Sequence, residues 1–126
     1  EFGDFELRLS ARTHDKADSG VFFRCHGSRL WPRSYEAQIS HFDSDYFTGA
    51  IQGQVPACEL RALDDHWFQL HVVAKGPNIQ IVVNGETVAD YMSPKHKNWP
   101  KGWICLQAPQ PGTVVEFKDI EVKSLE

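Results

Sequence analysis

Apolar residues recur at every second position along most of this chain, and no stretch sustains the three-to-four spacing of a helix. In residues 4–12, Phe5, Leu7, Leu9 and Ala11 alternate with Glu6, Arg8, Ser10 and Arg12. A strand turns successive side chains to opposite faces, so this pattern buries one face and leaves the other wet. Residues 21–26 repeat it, with Val21, Phe23 and Cys25 opposite Phe22, Arg24 and His26. Residues 35–40 set Tyr35, Ala37 and Ile39 against Glu36, Gln38 and Ser40. Further strands are expected over 67–74, 79–83, 87–91, 103–108 and 114–122, with a short one at 48–52. Asn84-Gly85 lies between two apolar runs, and both residue types accept positive φ, so 79–83 and 87–91 should form a two-residue hairpin. A turn of helix near 62–66 is the one exception expected. Roughly nine short strands joined by turns predict an all-β fold, an antiparallel sandwich or barrel.

The 126 residues suit one domain, with no internal repeat or linker. A formal net charge of −4 leaves no basic excess for nucleic acid. No apolar run approaches the ~20 residues of a membrane-spanning helix. The chain opens almost inside its first strand, without an initiator Met or a charged-then-apolar leader, and reads as a piece of something longer. Cys25, Cys58 and Cys105 are odd in number and match no zinc spacing. Cys25 and Cys105 sit in apolar stretches and read as packed thiols.

Several strands carry unusual groups on the polar side. Arg24 and His26 share one side of the second strand, and Glu36 and Gln38 one side of the third. Strict alternation would cluster Arg24, Glu36 and Gln38 on one sheet surface. That surface is either a solvated salt-bridged face or a sugar-binding face, since carboxylates, amides and guanidinium groups bond hydroxyl and keto oxygens. His41, Asp43 and Asp45 form a second group on the following loop, compatible either with a divalent metal or with ordinary polar loop structure. Trp31, Trp99, Trp103 and Tyr46 lie in or beside loops, where aromatic rings stack on sugars or cap a core. There is no phosphate loop, nucleophile elbow or zinc-protease motif.

One ordered set of segments is more specific. Gly3-Asp4-Phe5-Glu6-Leu7 precedes Asp18-Ser19-Gly20-Val21-Phe22-Phe23-Arg24, and Tyr35-Glu36-Ala37-Gln38-Ile39 precedes Thr48-Gly49-Ala50-Ile51. Then come Val83-Asn84-Gly85, Asp90-Tyr91, Gly102-Trp103-Ile104-Cys105-Leu106-Gln107 and Val115-Glu116-Phe117-Lys118-Asp119-Ile120. In this order the chain resembles the bacterial 3-keto-disaccharide hydrolase family. The resemblance implies a concanavalin A-like jelly roll whose concave sheet carries the site. It also implies an exported, periplasmic or extracellular protein. Family domains begin a strand or two earlier, so the resemblance further implies a partner chain or domain over the N-terminal edge. The family commonly has a His shortly after the Leu-Gln pair, where this chain has Ala108-Pro109-Gln110-Pro111.

The implied chemistry is elimination. A ketone at sugar C3 acidifies the C2 proton, a base removes it, and the enolate expels the glycosidic oxygen from C1. Glu36 is the first candidate base and His41 the second, with His26 assisting proton transfer and Arg24 holding the developing oxyanion. Gln38, Gln107 and Trp31 would bind the sugar, and Asp43 would be the ligand if a divalent metal takes part. Two-carboxylate glycoside hydrolysis would need a second facing acid, for which Glu116 is the strand candidate. A non-catalytic carbohydrate-binding module and a structural interaction domain are the alternatives.

Overall fold

The computed structural model describes residues 1–27 and 33–126. Those residues contain eight strands and no helix: β1 Phe5–Thr13, β2 Ser19–His26, β3 Arg33–Ile39, β4 Phe68–Lys75, β5 Asn78–Val83, β6 Glu86–Met92, β7 Trp103–Leu106 and β8 Val115–Ser124. Every pairing is antiparallel. One sheet has the order β6-β5-β4-β1-β8 and the other β3-β2-β7. The architecture is an antiparallel β-sandwich of jelly-roll type.

The apolar sets of the alternating strands meet between the sheets. Phe5, Leu7, Leu9 and Ala11 of β1 and Phe68, Leu70, Val72 and Ala74 of β4 face Val21 and Phe23 of β2 and Tyr35, Ala37 and Ile39 of β3, all buried. Phe5, Phe23, Tyr35 and Trp99 continue as a chain of edge-on and stacked rings with centroids 5.4–5.7 Å apart. Each fully buried large side chain contributes roughly 1.5–3 kcal/mol through the area it removes from water.

The expected hairpin is present. Val83 pairs with Glu86 across Asn84 (φ 50°) and Gly85 (φ 83°), the left-handed pair that matches strand twist. A register shift after Ile81 turns both Val88 and Ala89 inward. Residues 48–52 are not a strand of their own. Instead Ile51 bridges Ala37, with Gln38 N–H donating to Ala50 O and Gln52 N–H to Glu36 O, each at 2.9 Å, which closes the free edge of β3. Residues 62–66 make a turn rather than helix, because Asp65 takes φ 64° and its N–H donates to Thr13 O at 2.8 Å. Among the described residues β7 and β8 are each paired on one side only. Around them Trp103, Leu106, Val114, Ile120 and Val122 are exposed.

Candidate functional site

The outer face of the three-stranded sheet is built from residues that alternate with the core set. Glu36 on β3 is in register with Phe22 on β2, which is in register with Cys105 on β7. One step along, Gln38 is in register with Gly20, whose carbonyl accepts from Gln107 N–H at 2.9 Å. Glu36 therefore lies beside a row formed by Gln38, Gly20 and Gln107.

Gly20 sets the position of the carboxylate. A Cβ at residue 20 would stand 2.2 Å from Glu36 Oε2 and 2.9 Å from its Cγ, so the Glu36 side chain occupies space that any other residue here would fill. The Gln38 amide is buried under it. With the amide oxygen and nitrogen assigned by their neighbours, its nitrogen donates to Ser19 O and to Glu36 Oε2, both at 3.2 Å, and its oxygen lies 3.3 Å from Gln52 Oε1. Burial, with a smaller contribution from the charge of Asp18, pushes the Glu36 carboxyl up to about 7. Asp18 is itself raised, by burial first and then by Asp43. The loop bearing Asp18 is pinned by Gln110, which accepts from Asp18 N–H at 2.9 Å and donates to Lys16 O at 2.8 Å. On the Gln107 side chain, Oε1 is buried without a hydrogen-bond partner.

The structure thus brings Glu36, Gln38 and Gln107 together, as alternation implies. It places Arg24 elsewhere, which corrects the expected cluster. Between Phe23 and His26 the register slips against β3, and Arg24 takes φ 50°. This bulge turns Arg24 inward directly after Phe23, and both are fully buried. The guanidinium donates to Gly3 O at 3.0 Å and Gly76 O at 2.8 Å, and approaches His96 Nδ1 and Asp4 Oδ1 at 3.4 Å each. Burial lowers its pKa, opposed by Tyr35 and Asp4. Arg24 clips the N-terminal segment to the β4–β5 turn instead of facing Glu36.

His41 also lies apart from Glu36. Its ring packs edge-on against Phe68 of the core, 5.4 Å between centroids, and Nδ1 meets Thr48 Oγ1 at 2.5 Å. Burial lowers its pKa, and Nε2 has no partner. His26 closes β2 with Nε2 3.5 Å from Glu1. Asp43 Oδ1 accepts the backbone N–H groups of Asp45 and Tyr46 at 2.8 Å, the role of a turn-forming Asp. Among the described residues no three His, Cys, Asp or Glu side chains converge as a metal cage. Trp31 lies outside the described residues. Glu116 faces outward from the larger sheet. There Arg12 at 2.9–3.0 Å and His14 at 2.7 Å hold it ionised, with a pKa of about 2. It cannot supply a second acid to Glu36.

Three residues of the site carried weaker sequence signals. Asp18 and Gly20 sit in the Asp18-Ser19-Gly20 segment but read as part of a polar turn over 14–20, and Gln52 read as the end of the short strand expected at 48–52. A depression of about 460 Å³ is on the opposite sheet beside Arg8, Gln69, His71 and Glu121. Its charged groups meet in the pairs Arg8–Glu121 at 3.7 Å and His71–Glu6 at 3.2 Å.

A jelly-roll sandwich with a carboxyl held near neutrality among amides, on the outer face of one sheet, belongs with the carbohydrate-active sandwich domains. The chain is a member of the 3-keto-alpha-glucoside-1,2-lyase-like domain family, whose model matches residues 1–123. It is similar to two crystal structures from Parabacteroides distasonis ATCC 8503, each described as a putative glycosyl hydrolase. One has TM-score 0.88 at 24% identity, covering 99% of this chain and 79% of that one. The other has TM-score 0.79 at 15% identity, with coverages of 99% and 73%. The carbohydrate-binding module CBM66 from Bacillus subtilis is similar at TM-score 0.70 and 15% identity, with coverages of 97% and 76%. Among curated proteins no sequence matches. Among the described residues no helix is long and apolar enough to cross a membrane.

Proposed function

We propose that the outer face of the β3-β2-β7 sheet binds a 3-keto-glycoside and that Glu36 removes its C2 proton. The observation that carries this reading is the Glu36 carboxyl at about 7, extended over Gly20. A base that titrates near the working pH combines a useful ionised fraction with a strong pull on the proton. Proton loss from C2 moves electron pairs onto the C3 oxygen. As that enolate collapses, the C1–O bond breaks and the leaving oxygen takes a proton. Asp18, raised by burial and close enough to act on Glu36, is the proposed donor. Water adding to the resulting double bond would complete hydrolysis. Gln38 holds the Glu36 carboxylate in place, and the half-buried Gln107 in the same row turns its amide to a sugar hydroxyl as the ligand docks. Trp103 is 60% exposed and alternates with the inward Ile104, so its ring is available to stack on the sugar.

Replacing Glu36 by Gln preserves shape and removes the base. Turnover of a 3-keto-glucoside should fall by roughly 10²-fold or more, with affinity changing far less. Unaltered turnover in this variant would remove Glu36 from the mechanism. One observation favours a second reading. With Arg24 turned into the core, no cation among the described residues stands beside Glu36 to hold the enolate, which suits a carbohydrate-binding module. Sugar binding by calorimetry without any turnover in the unaltered protein would establish that reading.

The family resemblance supports export to the periplasm or extracellular space, which cell fractionation tests. β1 is itself paired on both sides, by β4 and β8, so the partner expected over the N-terminal edge would meet the sandwich at β8 or β7, the edge strands of the two sheets that carry exposed apolar residues. A monomer in sedimentation that shows no tendency to associate would count against that partner.

A further inference from the structure

We infer that Cys25 and Cys105 form a disulfide that ties β7 to β2 on the same face as Glu36. Cys105 is in register with Phe22 and Cys25 with Trp103, so the two thiols are diagonal neighbours on adjacent strands. The extra residue that β2 carries between these pairs is the Arg24 bulge. It restores Cys25 to the outer side although Phe23 and Arg24 both face in. Diagonal positions in a regular antiparallel pair are about 7–8 Å apart, at the limit of disulfide reach. A bulge bends and overtwists its strand, and here the two backbones come unusually close. A Cβ on Gly102 would stand 2.5 Å from Cys25 N and Arg24 C. The Cys105 and Ser34 side chains are both hydrogen-bonding neighbours of the Cys25 thiol, which is half-buried. Cys105 is exposed, contrary to the packed-thiol reading of its sequence context. Cys58 lies far along the chain from both, with its sulfur 4.0 Å from Thr87 O.

The roles follow from access. The exposed Cys105 sulfur, as thiolate, attacks a small-molecule disulfide, and one small thiol leaves. The Cys25 thiolate then displaces the second small thiol from the mixed disulfide, giving Cys25–Cys105. Two protein thiols are oxidised and one small disulfide is reduced to two thiols. The bond would anchor β7, a four-residue strand at the edge of its sheet among the described residues, beside the row that holds Glu36.

The test equilibrates the purified protein in glutathione buffers from fully reducing to fully oxidising. Thiols are then counted after denaturation, and the peptides mapped by mass. The three thiols of the reduced protein should fall to one, with loss of two hydrogens and a linked peptide joining residues 25 and 105. Oxidation should raise the unfolding temperature by on the order of 10 °C, since the bond closes a long loop. Cys105→Ser should abolish both changes, whereas Cys58→Ser should leave both intact. Three thiols persisting in the oxidising buffer would overturn the inference. So would separate glutathione adducts on Cys25 and Cys105 as the end state.

Discussion

Replacing Glu36 by Gln should change stability in a pH-dependent way whose sign is fixed by the site. The folded carboxyl titrates at about 7 against an ordinary 4.5, so the folded state binds the proton more tightly than the unfolded one. The stability linked to that proton is fully present below about pH 4.5 and is lost as pH rises through about 7. The full move corresponds to at most about 3 kcal/mol, and solvent reaching the half-buried carboxylate reduces it to about 1–2 kcal/mol. Gln imitates the protonated carboxyl at every pH. Glu36→Gln should therefore match the unaltered protein at pH 4 and exceed it by about 1–2 kcal/mol at pH 8.5. Asp18 keeps its own upward shift in both proteins and largely cancels in the comparison. Urea unfolding at the two pH values measures the difference directly. A gap of equal size at both pH values, or a variant less stable at pH 8.5, would refute the claim that burial dominates at Glu36.

Two further substitutions separate the site from the scaffold. Gly20→Ala puts a methyl 2.2 Å from Glu36 Oε2, so the carboxylate must swing away. Sugar turnover should drop by about 10²-fold, with stability within about 1 kcal/mol of the parent because the alanine itself suits a strand better than glycine. Kinetics paired with thermal unfolding checks both halves, and full turnover would mean that the observed carboxylate position is not the working one. Arg24→Met strands Asp4 and two carbonyl oxygens and should cost about 3 kcal/mol or more. Turnover per folded molecule should survive, and its selective loss in a protein of normal stability would return Arg24 to the oxyanion.

The strands and the Asn84-Gly85 hairpin were legible because both signals are local. Period two needs only the residues of one strand, and the turn needs only two. Glu36 and Gln38 were placed correctly for the same reason, since β3 alternates without interruption from Ser34 to Gln38. Arg24 was not, because a bulge with a non-glycine residue at φ 50° leaves no mark in the alternation that precedes it. Asp18 escaped notice because its burial arises where three separate segments meet, around residues 18, 43 and 110. The gap left at Gly20 is visible only once the Glu36 side chain is seen lying across it.

The bulge in β2 also explains how one strand serves the core and the site together. Before it, Gly20 and Phe22 face outward and leave room for Glu36. At it, Phe23 and Arg24 both face inward, so Arg24 can clip the N-terminal segment to the β4–β5 turn. After it, Cys25 faces outward again, beside Cys105. A regular strand would have sent Arg24 to the outer face, where a fixed positive charge beside Glu36 would draw its pKa down. By turning that charge into the core the bulge leaves the Glu36 carboxyl without a counter-ion, and burial can hold it near 7. The same displacement deprives the proposed site of the cation that an enolate would use, so in the proposed reaction the amide N–H groups of Gln38, Gln52 and Gln107 are what remains to stabilise the oxyanion.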